Sequence, residues 1–130
     1  DSPLVASTPR RKVVYVEDNP SNIAFMRELM EDLHGIELIT APTAEIGLDV
    51  IRAHKPAVVI MDINLPGMSG FDAVKLLKSS AETAAIPVIA LSAAALARDT
   101  TRAREAGFHR YLTKPVKVDE LTEVLTQLLA

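Results

Sequence analysis

Hydrophobic residues along the chain form short runs that end abruptly in polar residues or turns. The segments 13–16, 57–61 and 88–91 are apolar and rich in β-branched residues, which is the pattern of strands buried on both faces of a parallel sheet. Two weaker runs, at 36–40 and 110–113, have a similar character. The pattern therefore predicts five strands.

Between these runs, apolar residues recur at the spacing typical of helices. Asn19 is a predicted N-cap followed by Pro20 at the first helical position, and Thr43 is a predicted N-cap of the second helix. The fourth helix is predicted over 93–106. Three residues of the second helix are expected to face the core: Ile46, Val50 and Ile51.

Strands that alternate with helices indicate the α/β class, with right-handed crossovers and a mostly parallel sheet covered on both faces. Residues 1–11 carry proline, serine and threonine without periodicity, so they are predicted to be a linker or a frayed N-terminal segment. Residues 12–130 are predicted to form one domain.

Composition narrows the classes of function. No apolar stretch approaches the roughly 20 residues that span a bilayer, no secretory signal pattern is present, and the chain contains no cysteine. We therefore expect a cytoplasmic domain without membrane contact. A net charge of −3 with scattered cations argues against nucleic-acid binding, and a monomer is the favoured oligomeric state.

Polar groups follow four of the predicted strands at their carboxyl ends, where open α/β sheets hold their ligands. These groups are Glu17 and Asp18, Asp62, Ser92 and Lys114. The first of these turns lacks both the glycine-rich fingerprint of dinucleotide binders and the Gly-Lys-Ser/Thr signature of phosphate loops. Nucleotide binding is therefore not expected.

The same groups suit phosphoryl chemistry. Glu17, Asp18 and Asp62 would repel one another without a cation, and oxygen ligands favour a hard ion such as Mg²⁺. Asp18 is the expected direct ligand, while Glu17 is expected to act through water or to supply charge. Asp62 is the expected nucleophile, forming an acyl phosphate whose oxygens Lys114 and Ser92 would contact.

With these residues in place, the chain over 12–129 resembles a response-regulator receiver domain of two-component phosphorelays. The family's acidic pair corresponds to Glu17 and Asp18, and its phospho-acceptor corresponds to Asp62. Its hydroxyl residue corresponds to Ser92, its conserved aromatic residue to Tyr111, and its Lys-Pro pair to Lys114 and Pro115. The resemblance implies a doubly wound, flavodoxin-like sheet of five parallel strands in the order 2-1-3-4-5. It also implies a cis Lys114–Pro115 bond and a metal ligand from the main-chain carbonyl of Asn64.

The resemblance further implies a regulatory domain rather than a conventional enzyme, one that catalyses its own phosphorylation and dephosphorylation. Its phosphodonor would be a histidine kinase or a histidine phosphotransfer protein, docking near Asn22 and Ile23. Ser92 and Tyr111 would switch the surface of the fourth helix, fifth strand and fifth helix. The Glu-Asp-Asn-Pro turn is most similar to receivers attached to hybrid sensor histidine kinases, and a stand-alone regulator is the other interpretation.

Two other classes of function use related features. A receiver-like interaction module that works without phosphorylation would normally lack part of the residue set found here. A haloacid-dehalogenase-like phosphohydrolase also uses an aspartate nucleophile with Mg²⁺, but its motif is Asp-x-Asp and position 64 is asparagine. The missing second aspartate makes turnover of small phosphate esters the weakest of the three hypotheses.

Overall fold

The computed structural model of the protein describes residues 11–33, 35–93 and 97–129. Within these ranges five strands alternate with five helices, as predicted. The strands are β1 (Arg11–Val16), β2 (Ile36–Ala41), β3 (Val58–Asp62), β4 (Val88–Ser92) and β5 (Arg110–Thr113). The helices are α1 (Pro20–Glu31), α2 (Ala44–His54), α3 (Gly70–Lys78), α4 (Ala97–Ala106) and α5 (Val118–Leu129).

All neighbouring strands are parallel, and their order in the sheet is β2-β1-β3-β4-β5. This confirms the doubly wound, flavodoxin-like fold. Every residue of β3 and β4 is buried, because both faces of these central strands are covered by helices.

Alternate residues of the strands build two separate cores. Val14 and Val59 face α2, α3 and α4, whereas Val13, Tyr15 and Ile60 face α1 and α5. This alternation follows from the two-residue repeat of a strand. The carboxyl ends of the strands therefore lie between two packed layers of helices.

The two predicted N-caps are confirmed. Asn19 Oδ1 accepts hydrogen bonds from the backbone N–H groups of Ser21 and Asn22 at 2.8 and 3.1 Å. Thr43 Oγ1 accepts from the backbone N–H of Ile46 at 3.1 Å. Each cap satisfies donors at a helix start that have no partner within the helix.

The predicted buried face of α2 is wrong at one residue, since Ile46 is 47% exposed. The buried residues are Ala44, Gly47, Leu48 and Ile51. Gly47 packs so closely on β1 that a Cβ atom there would lie 2.8 Å from Val16 Cγ2. This close approach turns the adjacent Ile46 towards solvent.

The ends of the chain and the fourth helix are only partly described. Residues 94–96 of the predicted fourth helix lie outside the described residues, and α4 runs over Ala97–Ala106. Arg11 is already the first residue of β1, and residues 1–10 are not described, so the linker over 1–11 stays a prediction. No helix in the described part of the chain has the length and apolar character needed to cross a lipid bilayer.

Candidate functional site

The register of the sheet brings the predicted site residues to one edge. Val16 of β1 lies opposite Met61 of β3, so the residues that follow, Glu17 and Asp62, are neighbours. Lys114 follows β5, and its backbone N–H donates to Ser92 O at 2.7 Å. The carboxyl ends of four strands therefore meet, as the sequence predicted.

Lys114 connects the two acidic strand ends. Its Nζ donates to Asp62 Oδ2 at 2.7 Å and lies 3.6 Å from Glu17 Oε1. Both carboxylates are buried, whereas about a quarter of the Lys114 side chain is exposed. Burial by itself lowers the pKa of the ammonium, but the hydrogen bond and charge of Asp62 and the charge of Glu17 outweigh it and raise that pKa. Lys114 thus stays charged and holds the two carboxylates together.

The second oxygen of Asp62 is held by the loop that follows β3. Asp62 Oδ1 accepts from the backbone N–H of Asn64 at 2.9 Å, and Asn64 Oδ1 accepts from the backbone N–H of Ala93 at 3.2 Å. The loop is tight at Gly70, where a Cβ atom would lie 2.9 Å from the Ile63 Cα atom. The acceptor loop is therefore joined to the residue just after β4.

Glu17 is held by groups that the sequence interpretation did not single out. Its Oε2 accepts from the backbone N–H groups of Asp18 and Asn19 at 3.2 and 3.1 Å. Its Oε1 accepts from the Tyr15 hydroxyl at 3.1 Å. Burial and the nearby negative charge of Glu17 raise the pKa of Tyr15, so the hydroxyl stays a donor. The signal for this pair was its two-residue spacing across the end of β1, where the chain is still extended, which puts both side chains on the same face.

The two predicted switch residues lie on neighbouring strands. Ser92 is buried at the end of β4. Tyr111 is half-buried on β5, opposite Ala90, and borders a groove of about 170 Å³ between α4 and β5. The structure thus puts Ser92 at the acidic edge and Tyr111 beside α4.

The metal ligands implied by the resemblance stay a prediction. Asp18 is exposed, and in the described ranges no three His, Cys, Asp or Glu side chains are arranged to hold a metal ion. The donor chemistry nevertheless fits a hard divalent cation. Asp18 and Asp62 are carboxylates at adjacent strand ends, and Glu17 and Asp62 together carry one more negative charge than Lys114 balances.

A small apolar groove of about 210 Å³ opens beside Lys114. It is bordered by Tyr15, Asn22, Phe25, Lys114, Pro115 and Val116. The Lys114–Pro115 peptide bond on its wall is cis, as the resemblance implied. Phe25 is 41% exposed at this groove, whereas Ile23 is half-buried and packs against the core. The docking of a donor near Asn22 and Ile23 stays a prediction.

Comparisons with known proteins agree with this geometry. Residues 13–126 match the family model of the response regulator receiver domain. The polar-differentiation response regulator DivK of Brucella anthropi is 38% identical over 119 residues, which cover 92% of this chain and 96% of DivK.

Solved structures have the same fold. The receiver domain of sensor histidine kinase PA1611 from Pseudomonas aeruginosa PAO1, with a magnesium ion coordinated in its active-site cleft, has a TM-score of 0.83 at 27% identity. It matches 92% of this chain and 98% of its own. The signal receiver domain of a DNA-binding response regulator from Colwellia psychrerythraea 34H has a TM-score of 0.86 at 26% identity, with the same coverage. The chain therefore belongs to the family of response regulator receiver domains, which are phosphorylation-based switches of two-component signalling.

Proposed function

We propose that this domain accepts a phosphoryl group from a phosphohistidine donor onto Asp62, in a reaction that depends on Mg²⁺. The observation that carries the proposal is the contact of Lys114 Nζ with Asp62 Oδ2 at 2.7 Å, beside the buried carboxylate of Glu17. This arrangement joins a nucleophile, a fixed cation and a second acidic group at the carboxyl edge of the sheet.

Asp62 supplies the nucleophile. One carboxylate oxygen forms a bond to phosphorus, the P–N bond of the donor breaks, and the imidazole nitrogen keeps the bonding electrons. The loop contact from the Asn64 N–H to Oδ1 fixes the orientation of the carboxylate. Because the side chain is buried at a strand end, only the open edge gives access to phosphorus.

Lys114 and Ser92 receive the phosphoryl oxygens in this proposal. The ammonium of Lys114 exchanges part of its contact with Asp62 for a phosphoryl oxygen, and the Ser92 hydroxyl donates to another. Both residues belong to strand ends that are already neighbours, so transfer requires little rearrangement of the backbone.

Receiver domains bind Mg²⁺ in their active sites, and we assign its ligands here to Asp18, Asp62 and the main-chain carbonyl of Asn64. When bound, the ion neutralises phosphoryl oxygens and positions them for in-line transfer. Glu17 contributes charge next to these ligands. A cytoplasmic location, consistent with the absence of cysteine, is part of the same proposal.

The switch follows from the added charge. A phosphoryl group on Asp62 would draw the Ser92 hydroxyl towards it, and Tyr111 would respond on the neighbouring strand. The readout surface in this proposal comprises α4, β5 and α5. Autodephosphorylation would use the same residues with water as the nucleophile.

Receiver domains interact with histidine kinases or phosphotransfer proteins. We assign the docking of such a donor to the groove bordered by Asn22, Phe25 and Pro115, because it is apolar and lies beside Lys114. We also propose that this domain is part of a hybrid sensor histidine kinase, because the sequence of the Glu17–Pro20 turn is most similar to receivers of that kind. Transfer from the kinase domain of such a protein, compared with transfer from separate kinases, tests this origin.

Intact-mass spectrometry after incubation with acetyl phosphate tests the proposed chemistry. We expect the wild-type domain to gain one phosphoryl group with Mg²⁺ and little without it, and Asp62→Asn to gain none. Asp72→Asn is the matched control, because Asp72 is an exposed carboxylate in the first turn of α3.

The alternatives predict different results. An adduct that persists in Asp62→Asn would sink the assignment of the nucleophile. A protein unchanged by donor and metal would favour the phosphorylation-independent interaction module. Steady release of phosphate from many small esters would favour the phosphohydrolase, although the Asn64 side chain, engaged with Ala93, offers no acid or base for such turnover.

A further inference from the structure

The Glu17 carboxylate makes three hydrogen bonds and one longer ion pair within the protein. Two backbone N–H groups donate to Oε2, while Oε1 accepts from the Tyr15 hydroxyl at 3.1 Å and lies 3.6 Å from Lys114 Nζ. A carboxylate offers about four such positions. A further ligand on Oε1 would therefore compete with the Tyr15 hydrogen bond and the Lys114 ion pair.

The Tyr15 hydroxyl is fixed by the core of the domain. Tyr15 is 2% exposed and belongs to the same buried cluster as Met26, Ile60 and Leu91, so packing in the core holds its ring in place. Among the described residues, no buried side-chain nitrogen or oxygen lacks a hydrogen-bond partner. The Tyr15 hydroxyl and Glu17 Oε1 thus satisfy each other's hydrogen-bonding capacity at a buried position that water hardly reaches.

We propose that Tyr15 is a positioning residue of the metal site. Its hydroxyl holds Glu17 Oε1 beside Lys114 and prevents that oxygen from binding the cation directly. This inference rests on the proposed Mg²⁺-dependent function and adds a determinant of metal affinity. It also gives a reason for glutamate at this position, because the longer side chain reaches both its own loop N–H groups and the Tyr15 hydroxyl.

The inference predicts an unusual direction of change. In Tyr15→Phe the ring and its packing remain, but Oε1 loses a donor that partly neutralises it and becomes available to the cation. We expect Mg²⁺ to bind the unphosphorylated domain about two- to tenfold more tightly, as the loss of one competing hydrogen bond implies. Isothermal titration with magnesium chloride, without phosphodonor, measures this independently of phosphorylation.

A second substitution shows whether Tyr15 acts through Glu17. In a Glu17→Gln background the carboxylate is absent, so Tyr15→Phe should leave the Mg²⁺ affinity unchanged. An equal effect in both backgrounds would overturn the inference. Thr83→Val is the control for general destabilisation, because it removes another buried hydroxyl, which donates to Leu77 O in the last turn of α3. It should lower the melting temperature without changing Mg²⁺ affinity.

The outcomes separate this inference from the proposed function. A wild-type domain that binds no Mg²⁺ contradicts the proposed function itself. A wild-type domain that binds Mg²⁺, with Tyr15→Phe equal or weaker, contradicts only the role of Tyr15. If Tyr15→Phe does not fold, Glu17→Asp gives the same test, because the shorter carboxylate does not reach the Tyr15 hydroxyl and tighter binding is again expected.

Discussion

Lys114 lies between the two buried carboxylates of the site, Glu17 and Asp62, and contacts both. Removing one partner from a buried ionic group leaves charge without compensation. We expect Lys114→Met to lower the free energy of unfolding by about 2 to 3 kcal/mol, somewhat less than a fully buried pair would lose, because the lysine is partly exposed. Urea unfolding at neutral pH measures the loss.

A second substitution identifies the cause of this loss. Asp62→Asn in the Lys114→Met background removes one of the two repelling carboxylates, so it should restore part of the stability. Lys117→Met is the matched control, because Lys117 is an exposed lysine three residues further along. Equal losses in Lys114→Met and Lys117→Met would contradict the electrostatic explanation.

The sequence was sufficient to predict which residues lie at the strand ends, but not which hydrogen-bond partners they have. Asp62 and Ser92 end apolar strands and Lys114 follows one, so a parallel sheet brings them to one edge whatever the details of packing. The pairing of Tyr15 with Glu17 depends on the depth at which the side chains lie and on the path of the turn after β1. A sequence pattern gives the face of a strand but not these distances.

At the scale of an element, α1 presents Phe25 at the groove beside Pro115. An exposed aromatic residue contributes little to folding but is a frequent anchor of protein interfaces. We expect Phe25→Ala to slow phosphotransfer from a phosphohistidine-carrying protein by about tenfold, in line with the loss of one interface anchor. The rate with acetyl phosphate should not change. Phosphotransfer time courses with both donors measure the two rates.

Leu76→Ala is the control for Phe25→Ala, because the two side chains are similarly exposed, at 42% and 41%. Leu76 lies on α3, which packs on the opposite face of the sheet. If Leu76→Ala slows protein-mediated transfer as much as Phe25→Ala, the effect is not local to the groove. Slower reaction of Phe25→Ala with acetyl phosphate would point to a damaged site instead.

Helix starts were predicted well because a cap is a local feature. Asn19 and Thr43 each contact N–H groups two or three residues away. The exposure of Ile46 was not predicted, because it depends on how closely Gly47 approaches Val16 of β1. The contact between Asn64 and Ala93 likewise joins loops 29 residues apart, which no local pattern specifies.

At the scale of the whole molecule, stability in alkali should depend on Lys78. Its Nζ donates to Ala84 O and Ile86 O, and burial lowers the pKa of this ammonium from the usual 10.5. The folded chain therefore releases this proton before the unfolded chain does. Between the two pKa values the unfolded chain binds more protons, so a rise in pH favours the folded state.

The expected outcome is that the stability of wild type relative to Lys78→Met increases as the pH rises from neutral towards 10.5. Lys114 affects the pH dependence of stability in the opposite direction, because its pKa is raised in the folded state. The stability that Lys114 contributes is lost as the pH rises through this folded-state pKa. Since Lys114 is present in both proteins, its contribution cancels in the difference. Urea unfolding at a series of pH values gives the comparison, and a constant difference would contradict it.

The contact between Asp62 and Lys114 joins residues 52 positions apart in the chain. Contacts of such long range form only after the intervening segments have been ordered, which is slow and entropically costly. A partly folded or newly synthesised chain that has not yet docked β5 therefore has the aspartate without the lysine beside it. If Asp62 accepts the phosphoryl group as proposed, such a chain would be a poor competitor for the donor, and the signal would reach only molecules that have finished folding.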